Sequence, residues 1–141
     1  MRFIFTCWLV FQLLVIAGCK EGIAPSEKYP VRMGMVTGIK PDKIAYYKEL
    51  HAKAWPGVLK RIEASNIRNY SIYLKQIGNE YFLFSYFEYI GDDYAADMKK
   101  IADDSTTRRW WKETDPCQLP FPEAIESGKI WADMEEVFHA D

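Results

Sequence analysis

The 141-residue sequence has little of what most metal, cofactor and nucleic-acid sites need. It contains two histidines and three cysteines, and they do not occur at the spacing of a zinc site. It has no glycine-rich phosphate loop and no dinucleotide-binding fingerprint, which argues against chemistry on a nucleotide. The formal net charge is −2 and the charges of both signs are interspersed, so there is no basic surface for nucleic acid. We therefore expect no metal, no nucleotide cofactor and no nucleic-acid partner.

The N-terminal apolar run, residues 3–17, is too short for a membrane span of ~20 residues. It follows Arg2 and ends in small residues before Cys19, which is typical of a signal peptide and resembles a bacterial lipobox. We predict a lipoprotein-type signal peptide in 1–18, a tether in 19–30 and one domain in 31–141. The domain would lie outside the cytoplasm, held to a bacterial membrane by a lipid on Cys19. The alternative is an ordinary signal peptide with a chance cysteine.

Only Cys117 would remain as a free thiol after this processing, so no intramolecular disulfide is expected. A buried or incidental thiol is the favoured interpretation of Cys117.

The pattern of the remaining residues predicts an α+β domain. Strands are expected at 31–39, 67–76, 81–89 and 134–139, with helices at 40–55, 58–64, 93–102 and 105–112 and a loop at 113–122. This order is the ferredoxin-like βαββαβ unit, an antiparallel sheet with its helices on one face. Residues 81–89 are apolar on both faces, so the second face also needs cover. The simplest cover is a second copy, which predicts a homodimer of the dimeric α/β-barrel type.

Three aromatic or imidazole side chains lie four residues apart in the first helix: Tyr47, His51 and Trp55. One interpretation is an ordinary apolar stripe that faces the core. The other is that His51 transfers protons in a pocket that aromatic side chains line, suited to a neutral polar ligand such as a sugar. Tyr70, in the second strand, is expected to lie across from them.

The pair Trp110 and Trp111 diverges by ~100° if it is helical, so one indole can line the cavity while the other packs. Simple core filling is the alternative interpretation of that pair.

Four motifs occur in one order: YKELHAKAWP (47–56), NYSIYL (69–74), RWW (109–111) and MEEVF (134–138). With these motifs the chain resembles the L-rhamnose mutarotase family. The resemblance implies a dimeric ferredoxin-like enzyme without a cofactor that interconverts the α and β anomers of L-rhamnose. It also implies His51 as the proton donor. The substrate-contacting residues would be Tyr47, Tyr70, Trp110 and Trp111.

The sequence departs from the family pattern in three places, namely the export signal, the pair Ala52-Lys53 and the longer segment 118–131. These differences leave open a related deoxy-sugar, such as L-fucose. Two other functions also stay open. One is a haem-degrading or antibiotic-biosynthesis type of monooxygenase, in which His51 binds haem or orients the substrate. The other is a non-catalytic, lipid-anchored sugar-binding module.

Overall fold

The computed structural model describes residues 30–140, so the predicted signal peptide, Cys19 and nearly all of the tether lie outside the described residues. The strands are β1 (Val31–Ile39), β2 (Ile67–Ile77), β3 (Glu80–Tyr89), β4 (Gln118–Leu119) and β5 (Ala132–Met134). The α-helices are α1 (Ile44–Ala52), α2 (Pro56–Ala64), α3 (Tyr94–Asp103), α4 (Ser105–Thr114) and α5 (Pro122–Glu126). None of the helices in residues 30–140 has both the length and the apolar character to cross a membrane.

The five strands form one antiparallel sheet in the order β2-β3-β1-β4, and β5 also pairs with β1. β4 pairs with the end of β1 at Ile39, whereas β5 pairs with its middle from Gly34 to Val36. The two short strands therefore divide the position that the last strand of a ferredoxin-like unit occupies. The predicted fold class is confirmed. The predicted last strand at 134–139 is wrong, because β5 ends at Met134.

Glycines permit two close features of the sheet. A Cβ atom at Gly38 would lie 2.8 Å from the carbonyl oxygen of Leu119, so a side chain there would disrupt the pairing of β4. Gly78 has a φ of 61° in the two-residue turn between Ile77 and Glu80, which pair across the hairpin.

The helices cover one face of the sheet. One apolar cluster joins Ile39 of β1, Tyr47 of α1, Leu83 of β3 and the thiol residue Cys117. A second joins β2, β3 and α3 through Ile67, Phe87, Tyr89 and Ile101. Burying a large apolar side chain of this kind contributes about 1.5–3 kcal/mol. Cys117 is buried, as expected, and burial raises the pKa of its thiol.

The predicted break between the first two helices is present, but it lies at 53–55 rather than at 56–57. α1 ends at Ala52, and Pro56 begins α2 because its missing N–H is not needed in a first turn. Trp55 has extended backbone as the N-cap of α2 and so lies outside α1. The position of the Trp55 indole is therefore determined by the link between α1 and α2 and not by the helical spacing of α1.

The other face of the sheet is partly covered by the chain itself. Phe121 stacks on Phe82 of β3 with ring centroids 5.9 Å apart. The predicted loop at 113–122 contains the end of α4, a 3₁₀ turn and β4, so it is more ordered than expected. Tyr73 on this face remains 62% exposed, and Phe138 in the terminal segment is 83% exposed.

Candidate active site

His51 lies against Tyr47, one helical turn before it in α1. The two rings stack at 4.1 Å, and His51 Nδ1 lies 2.9 Å from the backbone oxygen of Tyr47. A carbonyl oxygen can only accept, so Nδ1 carries the hydrogen and donates it. In the neutral ring Nε2 then holds the lone pair. Burial lowers the pKa of His51, opposed in part by the bond to Tyr47, so the neutral ring dominates at pH 7.

Trp110 of α4 covers the imidazole. Its ring lies 5.2 Å from that of His51 and 5.4 Å from that of Trp55, in both cases edge to face. Asp104 sets the start of α4 by accepting a 2.7 Å hydrogen bond from the backbone N–H of Thr107. Trp110 is 7% exposed. The imidazole is therefore held between a phenol and an indole.

Trp111 follows Trp110 in the same helix and is 36% exposed. The two indoles diverge as the helical spacing predicts, and Trp110 is the one that joins His51. A sugar-contacting role for Trp111 stays a prediction.

A β-bulge directs Tyr70 to the helix side of the sheet. Asn69 and Tyr70 together lie opposite Phe87, between the regular pairs Arg68–Glu88 and Ser71–Tyr86. Asn69 has a φ of 52°, and its Nδ2 donates a 2.7 Å hydrogen bond to Oε2 of Glu88. In a regular strand, residues five positions apart face opposite sides of the sheet. Because the bulge adds one residue to β2, Ile67 and Ile72 both face the helices.

The ring of Tyr70 meets that of Phe87 edge to face at 5.7 Å. The residue as a whole is 41% exposed, but its phenolic oxygen is desolvated, which raises the Tyr70 pKa. The Ser85 hydroxyl lies toward this oxygen and opposes the rise, although the two do not form a hydrogen bond of ordinary geometry.

Tyr47 in α1 and Tyr70 in β2 both lie on the helix side of the sheet. Burial is the main cause that raises the Tyr47 pKa, and Tyr70 adds to it. Gln118 Nε2 donates a 3.3 Å hydrogen bond to Tyr47 Oη, which opposes the rise. Because Tyr47 Oη accepts from Gln118, its own hydrogen remains available to a ligand. The raised pKa keeps both phenols protonated at neutral pH.

Of the five side chains chosen from the sequence, the structure brings together three, Tyr47, His51 and Trp110. It places Tyr70 on the same side of the sheet, against Phe87. Sequence reasoning missed Gln118, the bulge at Asn69, and Trp131, which packs against the cluster containing Tyr47. An asparagine before an aromatic residue was the one available signal for the bulge, since asparagine tolerates positive φ.

Two hollows in the described chain lie away from the imidazole. One, of about 230 Å³, is lined by α1 residues and Trp55, and the other, of about 220 Å³, lies on the opposite side of the sheet between Arg32, Tyr86 and the terminal segment. Neither contains His51, so the sugar-sized hollow that we expect in front of this ring stays a prediction. Within residues 30–140 no group of three or more histidine, cysteine or acidic side chains could hold a metal ion.

A ferredoxin-like sheet with an imidazole stacked on a protonated phenol defines a small α+β protein suited to proton transfer. The chain belongs to the L-rhamnose mutarotase family, whose model matches residues 32–140. The family prediction is confirmed, and with it the prediction of a sugar mutarotase, a carbohydrate isomerase.

Named relatives agree with this assignment, and a solved structure has the same fold. The chain is 31% identical over 110 residues to an L-rhamnose mutarotase of Oceanobacillus iheyensis, covering 78% of this chain and 98% of the relative. It is 29% identical to one of Lactiplantibacillus plantarum, covering 79% and 99%. The fold matches the crystal structure of an L-rhamnose mutarotase from Formosa agariphila, with a TM-score of 0.60 and 21% identity over 79% of this chain and 99% of that one.

Proposed function

We propose that this protein interconverts the α and β anomers of L-rhamnose, or of a related deoxy-sugar, by opening and reclosing the pyranose ring. One observation supports this most: in a chain of this family, the Tyr47 carbonyl fixes His51 Nδ1–H and leaves Nε2 as the free proton-exchanging atom. Two protonated phenols lie on the same side of the sheet as that imidazole.

The reaction needs one group that takes a proton and one that gives a proton. In ring opening, neutral His51 takes the proton of the anomeric hydroxyl at Nε2 while the C1–O5 bond breaks. The ring oxygen takes a proton from the phenol of Tyr47 or Tyr70. Rotation about C1–C2 presents the other face of the aldehyde, and the proton transfers then run in reverse.

His51 is thus the proton donor in ring closure. The direction in ring opening differs from the donor role that the family resemblance implies, because the lowered pKa makes the neutral imidazole the resting state.

The indole of Trp110 would support the apolar C–H side of the sugar, since stacking on an aromatic face suits a neutral ligand with one apolar face. Trp111, at the exposed side of the same helix, would lie at the rim.

Saturation-transfer NMR on equilibrated L-rhamnose tests the proposal, because it reports exchange between the two anomers directly. We expect exchange well above the spontaneous rate with L-rhamnose, and a panel of L-fucose and common hexoses would define the sugar. Binding of the sugar without faster exchange would identify a non-catalytic binding module instead. Haem retained by the purified protein would support a monooxygenase.

We also propose that Cys19 is lipidated and holds the domain outside the cytoplasm of a bacterium. The family match begins at residue 32, so the apolar N-terminal run is additional to the matched domain. Growth with a labelled fatty acid should label the wild-type protein but not Cys19→Ala. Equal label in the variant, or none in either, would contradict lipidation.

A homodimer is the third proposal. Tyr73 on the sheet face away from the helices and Phe138 in the terminal segment are too exposed for aromatic residues of an isolated domain. Phe121 covers only part of that face. Sedimentation should give twice the monomer mass, and a monomer at micromolar concentration would contradict the proposal.

A further inference from the structure

Three buried side-chain oxygens on the helix side of the sheet have no hydrogen-bond partner within residues 30–140. They are Thr37 Oγ1, Ser85 Oγ and Gln118 Oε1, in residues that are 0%, 2% and 5% exposed. A buried polar atom without a partner costs free energy, so native proteins rarely retain one unless water or a ligand satisfies it. A fourth such oxygen, Ser65 Oγ, lies at the end of α2, outside this group.

The three residues lie on adjacent strands in a diagonal row. Thr37 of β1 is opposite Leu83, so Ser85 lies two residues further along β3. Gln118 of β4 is opposite Ile39, which lies two residues from Thr37 in the other direction. Alternate residues of a strand share one face, so all three side chains lie on the helix side, and diagonal neighbours are about 7–8 Å apart at Cα.

The row also connects the two phenols of the candidate site. Gln118 holds Tyr47 Oη through its amide nitrogen and leaves its amide oxygen free. Ser85 lies toward the phenolic oxygen of Tyr70 at the other end. Tyr47 stacks on His51, so the Gln118 end of the row lies beside the candidate site.

We infer that Ser85, Thr37 and Gln118 form the polar floor of the sugar site and determine which ring hydroxyls the enzyme accepts. This rests on the proposed function. None of the three carries a charge, so the floor suits hydroxyl groups rather than a phosphate or carboxylate. Each side chain can accept a hydrogen bond from a hydroxyl, and the serine and threonine can also donate one.

The test combines variants of the protein with variants of the sugar. Ser85→Ala, Thr37→Val and Gln118→Met each remove one floor oxygen, and Ser71→Ala, on the opposite face of β2, is the matched control. L-Rhamnose and its monodeoxy analogues, each lacking one ring hydroxyl, are compared for anomer exchange and, by titration, for binding. Losing one neutral hydrogen bond should reduce exchange at low sugar concentration roughly three- to tenfold.

The distinguishing result is coupling between residue and hydroxyl. For Ser85→Ala and Thr37→Val we expect the loss with L-rhamnose to disappear with the one analogue that lacks the matching hydroxyl. Gln118→Met should keep the part of its loss that comes from the broken hydrogen bond to Tyr47. We also expect Ser85→Ala to keep or raise the melting temperature, because it removes an unsatisfied hydroxyl. A floor filled only by structural water would instead lower the melting temperature and reduce exchange equally for every analogue, which would overturn the inference.

Failure of the proposed function has a different signature. If the wild-type protein binds these sugars without accelerating exchange, mutarotation is refuted. The coupling between each floor residue and one sugar hydroxyl is then measured from the binding constants. If it binds none of them, both the function and the floor are refuted.

Discussion

The bulge at Asn69 gives the sharpest connection between backbone and chemistry, and Asn69→Val should disrupt it. A side chain in the left-handed region costs about 1–2 kcal/mol, and a β-branched one is the least tolerated. Asn69 also donates to Glu88, a charge-assisted bond that the variant loses. We expect a total loss of roughly 2–3 kcal/mol, which for a domain of about 110 residues lowers the melting temperature by ~8–12 °C.

Asn69→Gly is the matched control, because glycine adopts the same φ without strain but loses the same bond to Glu88. We expect this variant to remain within ~1 kcal/mol of the wild type. Thermal denaturation measures both, and anomer exchange is measured well below the lower melting temperature.

The two variants should also differ in catalysis. Loss of the bulge would move Tyr70 away from the helix side, and a misplacement of about 1 Å can cost up to ~10²-fold in rate. Asn69→Val should therefore lose at least about tenfold in exchange, while Asn69→Gly keeps most of it. Wild-type stability and exchange in Asn69→Val, or equal damage in both variants, would refute the role of the bulge.

Three further predictions concern the imidazole, the indoles and acid stability. Burial lowers the pKa of His51 from its ordinary value, and the neutral ring is the active form. Exchange above background should therefore be flat from about pH 7 upward and fall on the acid side as the imidazole becomes protonated. A decline with rising pH would instead mean that the imidazolium is the active form. In denaturant unfolding, Trp110→Ala should lower the free energy of unfolding by about 3–5 kcal/mol because it truncates a core side chain, and Trp111→Ala should lower it by under ~1 kcal/mol. Equal losses would contradict the assignment of Trp110 to the interior. Hydrogen bonds from Lys100, Asn66 and Tyr89 lower the Asp97 pKa to about 2. The stability of the wild-type protein should therefore fall as pH drops from about 4 to 2, and the difference in melting temperature between wild type and Asp97→Asn should narrow over that range. A difference that stays constant would contradict this.

Local patterns predicted most of the fold. The apolar character of residues 31–39 was sufficient to place β1, whose bounds in the structure are the same. Two separate helices were also predicted before the second strand, although α1 ends earlier than expected and α2 begins at Pro56. The last strand was misplaced because Met134, Val137 and Phe138 are apolar. Hydropathy does not distinguish residues that pair with β1 from residues that continue beyond its edge.

The candidate site was predictable only where its residues share an element. Tyr47 and His51 follow from helical spacing alone, and their contact is local. The position of Gln118 depends on which strand β4 pairs with, and the orientation of Tyr70 depends on one inserted residue. Both are long-range properties of the sheet register, which a single sequence does not determine.

The most direct test is to compare His51→Asn with His139→Asn, the only other histidine, by saturation-transfer NMR on L-rhamnose. His51→Asn removes the free Nε2 and should reduce anomer exchange by about 10²–10⁴-fold while sugar binding persists. His139, in the exposed terminal segment, should be replaceable without loss of exchange. Wild-type exchange in His51→Asn would show that this imidazole does not move the proton.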